Sequence, residues 1–149
     1  MIALIQRVLH AQVEVDARCI AAIDLGMLAF VGVQRDDAAA SADRLLERML
    51  TYRIFADAAG RMNRHLRDVR GGLLLVPQFT LAADTRTGTR PGFSTAAAPE
   101  AARASFEYLL EQARARHAPV AAGAFGAHMH VHLVNDGPVT FWLEARASA

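Results

Sequence analysis

Apolar and polar positions alternate with period two over the opening of the chain. Residues 2–9, 11–16, 19–24 and 27–33 each read as a strand, with turns at Asp16-Ala17-Arg18 and Asp24-Leu25-Gly26. Val13 and Val15 alternate with Gln12, Glu14 and Asp16, the mark of a sheet wet on one face. Met27-Leu28-Ala29-Phe30-Val31 is apolar throughout, which predicts a strand buried on both faces. After Gln34-Arg35-Asp36-Asp37 the period changes to that of a helix, with acids placed at its start. Across residues 38–53, Ala42, Leu45, Leu46, Met49 and Leu50 share one face while Arg44, Glu47 and Arg48 lie opposite. The pattern predicts an amphipathic helix laid on the sheet.

The middle of the chain is less regular. Asp57-Ala58-Ala59-Gly60 reads as a turn, followed by a polar, irregular stretch over residues 61–65. Leu73-Leu74-Leu75-Val76 is a short apolar strand after Gly71-Gly72. Residues 82–92 are rich in Asp, Thr, Arg and Gly and predict a flexible, cationic surface loop carrying Arg86 and Arg90. Pro99 suits the first turn of a second helix reaching Arg116, with Ala102, Phe106, Leu109, Leu110 and Ala113 as its apolar stripe. Strands at residues 120–121, 128–134 and 139–144 follow, and the tail from Ala145 to Ala149 is expected to be frayed. The sum is a single α+β domain over residues 1–149, a mostly antiparallel sheet or barrel with two helices packed on it.

A chain of 149 residues is long enough to bury a core without staples. No run approaches the roughly 18 to 20 apolar residues a membrane span needs, and the first residues lack the pattern of a signal peptide. A cytoplasmic protein with no membrane partner is the expectation. Cys19 is the one cysteine, which excludes an internal disulfide and a Cys-based zinc site. A formal charge of +1 provides no broad phosphate-tracking face, so any nucleic-acid contact would be local.

Three stretches could carry chemistry. Asn135-Asp136-Gly137-Pro138-Val139-Thr140 interrupts two alternating runs and reads as a turn or bulge between strands. Gly-Pro can form a rigid corner that aims carbonyl groups into a pocket; it is also an ordinary hairpin turn. Pro77-Gln78-Phe79-Thr80-Leu81 ends a buried strand, where Gln78 offers a donor and an acceptor and Thr80 a hydroxyl. These two could equally be residues of a polar sheet face. His128-Met129-His130-Val131-His132 puts three imidazoles on one face of a strand, a pattern that begins metal sites and also occurs on polar faces. Three in a row splay too far for one tetrahedral ion, and no further ligand is evident.

Taken together, the Gln78-Phe79-Thr80 and Gly137-Pro138-Val139-Thr140 stretches resemble the paired signatures of the D-aminoacyl-tRNA deacylases, Ser-Gln-Phe-Thr and Gly-Pro-Val-Thr. The opening eight residues, Ala83-Asp84-Thr85-Arg86, Arg90-Pro91-Gly92-Phe93-Ser94 and Phe125-Gly126-Ala127 have family-like wording too. The resemblance covers nearly the whole chain in order. It implies a homodimer with active sites at the subunit interface and no metal or organic cofactor. The substrate would be a tRNA 3′ end carrying a D-amino acid, with glycine mischarged on tRNA(Ala) as a further candidate.

By the same resemblance, a cis Gly137-Pro138 corner would reach into the partner's pocket and reject L-configured side chains by sterics. Arg7 would brace that corner. Gln78, Phe79 and Thr80 would surround the ester carbonyl, with backbone N–H groups as an oxyanion hole. Phe125 and Met129 match positions that hold the terminal adenosine. Thr80 is a candidate nucleophile without a visible base, and the tRNA 2′-hydroxyl is the alternative means of activating water. Pro77 stands where the family has Ser, which leaves the range of amino acids open. A related animal branch that carries Pro there accepts small L-amino acids. Two readings compete with this one: a metalloprotein built on His128, His130 and His132, and a tRNA-binding module without activity.

Overall fold

The computed structural model describes residues 1–146. Eight strands and two helices follow the chain in the order β1 (Ile2–Val15), β2 (Arg18–Ile23), β3 (Gly26–Gly32), α1 (Ala39–Thr51), β4 (Phe55–Ala56), β5 (Met62–Arg64), β6 (Gly72–Pro77), α2 (Pro99–Arg116), β7 (Val120–Ala122) and β8 (His130–Glu144). A 3₁₀ turn, Phe79–Ala82, directly follows β6. Strands β2-β1-β3-β6-β7 lie in that order, with β8 also paired to β1, and the sheet curls nearly into a barrel. The separate hairpin β4–β5 occupies the region that reads as irregular, closed by Asp57, whose carboxylate accepts the N–H groups of Ala59 and Arg61.

Alternation explains how one sheet buries both faces. On β3, Met27, Ala29 and Val31 pack with Leu45, Leu46, Met49 and Leu50 of α1 and with Phe106 and Leu109 of α2. Leu28, between them, points the other way into a second cluster with Val8, Val13, Leu74 and Val76. The apolar run at residues 27–31 is therefore a strand with core on both sides, as its pattern requires. The α2 stripe is buried at Ala102, Phe106, Leu109 and Ala113, whereas Leu110 is only half-buried.

Several expectations need correction. Residues 2–9 and 11–16 form one strand, not two. The exposed Leu9 and His10 mark register shifts against β8, not a chain reversal. The sheet is mostly antiparallel as expected, with β1 paired antiparallel to β2, β3 and β8, but it also carries two parallel pairs, β3–β6 and β6–β7. The parallel pairs arise because α1 and α2 carry the chain back across one face. Asp37 does not serve the α1 N-terminus; its carboxylate takes the Met1 ammonium and the Gln34 N–H. Instead, Ser41 accepts the N–H of Ala38. In the expected tail, Ala145 is buried and donates its N–H to Met1 O, while residues 147–149 lie outside the described residues. No described helix is long and apolar enough to cross a membrane.

Candidate active site

The end of β6 is shaped by a handover of hydrogen bonds. Pro77 pairs with Val31 but has no N–H, and the next residue, Gln78, donates its N–H to Val31 O at 2.7 Å. The chain then tightens into the 3₁₀ turn, with Leu81 N–H donating to Gln78 O and Ala83 N–H to Thr80 O. The first two N–H groups of such a turn, those of Phe79 and Thr80, have no acceptor inside it. Gly32 permits this packing: a Cβ there would stand 2.9 Å from Leu81 Cβ and 3.2 Å from Gln78 O. Gln78 Nε2 donates to Thr80 Oγ1, which places the two polar side chains together at the surface. Phe79 is 58% exposed and packs against Phe93 with ring centroids 5.2 Å apart.

A cleft of about 300 Å³ opens beside this turn, with Pro77, Gln78 and Phe79 on one side and Phe125, His128 and Met129 on the other. Phe125 is held from α2 by the Arg103 guanidinium, 4.8 Å over its ring, and by Phe106 at 6.4 Å. Met129 packs on the second core cluster. Four of the expected site residues, Gln78, Phe79, Phe125 and Met129, thus line one cleft, and Thr80 joins them through its bond to Gln78.

Arg7, Gly137 and Pro138 lie elsewhere. The stretch expected as a turn between strands is a wide bulge inside the single strand β8. Thr140 pairs with Gln6 and Asn135 with Val8, so the four residues 136–139 stand opposite the single residue Arg7. The Gly137–Pro138 peptide is cis, as is Ala118–Pro119. Gly137 has φ +144°, and a Cβ on it would meet Val139 Cγ2 at 2.7 Å and Val139 N at 2.9 Å. Polar side chains stitch the bulge shut. Arg7 donates from Nε to Asp136 O at 2.9 Å and from Nη1 to Ile54 O at 2.8 Å. Asn135 accepts the Val139 N–H at 2.8 Å and donates to Thr140 Oγ1, which also receives Gln6 Nε2. On one copy the bulge and the β6 end are separated by β1 and β3. Three strand spacings of roughly 4.8 Å put them about 14 Å apart across the sheet, and they are offset along it as well, since Arg7 pairs with Met27 whereas Pro77 pairs with Val31.

The histidine row does not converge. His132 Nε2 stands 3.2 Å from Glu14 Oε2, and the His128 and His130 rings meet edge to face at 5.3 Å. No group of three or more metal-ligating side chains occurs among the described residues. The sequence reads His128 as a metal ligand or as part of a polar sheet face; the structure puts it on the cleft wall. The contributions of Gly32, Asn135 and the Ile54 carbonyl went unread. The loop after the 3₁₀ turn closes through paired Asp84 and Gly92 backbones. Its Arg86 bonds Asp84 and holds that carboxyl at about 2, well below its ordinary value.

Comparisons with known proteins place the chain in a family. A solved structure described as the c-Myc DNA unwinding element binding protein superposes with a TM-score of 0.94 at 35% identity, covering 99% of this chain and 100% of that one. A second, described as a probable eukaryotic D-amino acid tRNA deacylase, shares the fold with a TM-score of 0.79 at 14% identity, covering 96% and 98%. Among curated relatives, a D-aminoacyl-tRNA deacylase of Alkalilimnicola ehrlichii is 62% identical over 100% of this chain and 99% of its own. One of Janthinobacterium sp. is 58% identical over 98% of each. The model of the D-Tyr-tRNA(Tyr) deacylase family matches residues 4–144. The chain belongs to that family.

Proposed function

We propose that this deacylase, a hydrolase of the ester joining a D-amino acid to tRNA, works in sites that two copies of the chain build together. The observation that carries the reading is the separation within one copy. The β6 end offers a cleft, two N–H groups and exposed side chains, whereas the braced corner at Gly137–Pro138 stands away from it. In a two-fold dimer each corner can be set over the other copy's cleft, which gives two equivalent sites. The pairing of β8 also supports a partner: among the described residues its one neighbour in the sheet is β1, and it carries Val134 and Trp142 at 41% and 52% exposure.

In such a site the terminal adenosine lies between Phe125 and Met129 and the ester carbonyl faces the Phe79 and Thr80 N–H groups. Water attacks the carbonyl carbon, and the negative charge that develops on the oxygen is held by those donors. The bond to the ribose 3′-oxygen then breaks, releasing the free amino acid and tRNA. Thr80 Oγ1 already accepts Gln78 Nε2, and no His or carboxylate contacts it among the described residues. A role in orienting Gln78 therefore suits Thr80 better than that of nucleophile, and the 2′-hydroxyl of the terminal ribose is the group placed to activate water. The carbonyl groups of the partner's corner leave room for hydrogen, or for a D side chain pointing away, but not for an L side chain. Glycyl-tRNA falls within that tolerance.

The test is hydrolysis of matched D-, L- and glycyl-tRNA by chelator-treated protein, alongside sedimentation. Loss of the D and glycyl esters with the L ester spared, by a dimer, supports the reading. A fully active monomer overturns the shared site, and turnover only after metal is restored overturns the mechanism.

A further inference from the structure

Phe79 lines two clefts. On one side is the cleft of the candidate active site; on the other lies an apolar groove of about 620 Å³ between Phe93, Arg35 and the start of α2 at Ala98, Pro99 and Ala101. We infer that this groove receives the nucleotide preceding the terminal adenosine, with its base on the Phe79–Phe93 pair and its phosphate facing Arg35. The inference rests on the proposed deacylase site, because it takes the terminal adenosine to lie between Phe125 and Met129. What fills the adjoining groove is then what is covalently next to that adenosine.

The surface has the chemistry of such a subsite. Phe79 and Phe93 are 58% and 43% exposed, with ring planes 41° apart, and offer open aromatic faces at the mouth of a groove. Single-stranded nucleic acid is held in this way, by aromatic rings under the bases and cations along the backbone, and stacking accepts any base. No ion pair or side-chain hydrogen bond occupies the Arg35 guanidinium among the described residues, which leaves it available to a phosphate. The groove is also rigid before anything binds. Arg35 N–H donates to Thr95 O, Ala97 N–H to Val33 O and Ala96 N–H to Phe93 O. The Thr95 hydroxyl donates to Ala82 O, tying the Phe93 segment to the 3₁₀ turn. A preformed platform loses little freedom on binding, so contact there converts into affinity.

The test uses the full-length protein and non-hydrolysable amide analogues: 3′-D-aminoacylamino adenosine, and the same compound extended by one 5′ cytidine. Calorimetry should show the extended analogue binding about tenfold tighter, as stacking of one base implies. Phe93→Ala and Arg35→Gln should each remove most of that gain and leave the affinity for the adenosine analogue unchanged, with sedimentation unaltered. Equal affinity of the wild type for both analogues would overturn the inference while leaving the deacylase site standing. So would a gain that survives in Arg35→Gln and Phe93→Ala, or dissociation of the dimer by Phe93→Ala, which would assign the groove to a second copy. Failure of the adenosine analogue itself to bind overturns both readings.

Discussion

The end of β6 and the bulge of β8 both depart from regular strand, and they do so in opposite ways. At the bulge, side chains brace the departing backbone: Arg7 reaches in from β1 to Asp136 O and also to Ile54 O, and Asn135 bridges Val139 and Thr140 within β8. The product is a fixed piece of backbone. At the β6 end the backbone is an unforced 3₁₀ turn, and what stands out is side chains, with Gln78 bonded to its neighbour Thr80 and Phe79 in the open. The first region uses side chains to hold main chain in shape; the second uses main chain to present side chains and two N–H groups that have no acceptor inside the turn. Changes at the bulge should therefore cost stability and selectivity together, whereas changes at the turn should cost rate alone.

The largest effect is expected at Gly137. Alanine there would take φ +144° and place its Cβ 2.7 Å from Val139 Cγ2, at an estimated cost of about 2 to 4 kcal/mol. Chemical denaturation measures that loss, and the D-ester activity should fall with it. Arg7→Ala comes next. It leaves the Asp136 and Ile54 carbonyls without their charged donor, an expected loss of about 2 to 3 kcal/mol. Because the corner loosens without collapsing, the ratio of D- to L-ester hydrolysis should drop by more than the D rate itself. A variant that loses stability but keeps full discrimination would separate the brace from chiral selection.

The contrast also explains what the sequence could disclose. The Pro77–Leu81 motif lies in one short piece whose chemistry is local, so reading it in order nearly describes it. The two helices and the doubly buried β3 follow from periods of 3.6 and 2, which depend on neighbours along the chain. The Asn135–Thr140 stretch carries Gly-Pro, the strongest local signal for reversal, and such a signal predicts a turn. It remains strand because Gln6 and Val8 pair on either side of it and Arg7 fills the gap, contacts over more than a hundred positions that no local pattern encodes. The parallel β3–β6 and β6–β7 pairs were hidden for the same reason. Periodicity reports which face is buried, not which strand lies alongside.

Smaller effects sharpen the comparison. Asn135→Ala removes the acceptor for Val139 N–H and the donor to Thr140 Oγ1, an expected cost of about 1 to 2 kcal/mol. Thermal unfolding with and without this change, in an Arg7→Ala background, should show coupling, since both side chains fix the same four residues. An additive pair would mean that the bulge is held in two independent halves.

The smallest effect on stability is expected at Thr80, and there it is the rate that decides. Thr80→Val keeps the shape of an exposed side chain and should shift stability by no more than about 0.5 kcal/mol. Its chemical consequence depends on what the hydroxyl does. As the partner that holds the Gln78 amide, its loss frees Gln78 to rotate while the Phe79 and Thr80 N–H groups stay where the turn puts them. Single-turnover hydrolysis of a D-aminoacyl-tRNA should then slow by about tenfold, the scale of a lost positioning contact. Removal of an attacking nucleophile costs on the order of 10⁴-fold or more. A tenfold loss that a 2′-deoxy terminal adenosine deepens to near the uncatalysed rate would assign water activation to the tRNA. A loss of the larger size in Thr80→Val alone would return the nucleophile to the protein, making this turn more than a frame for its side chains.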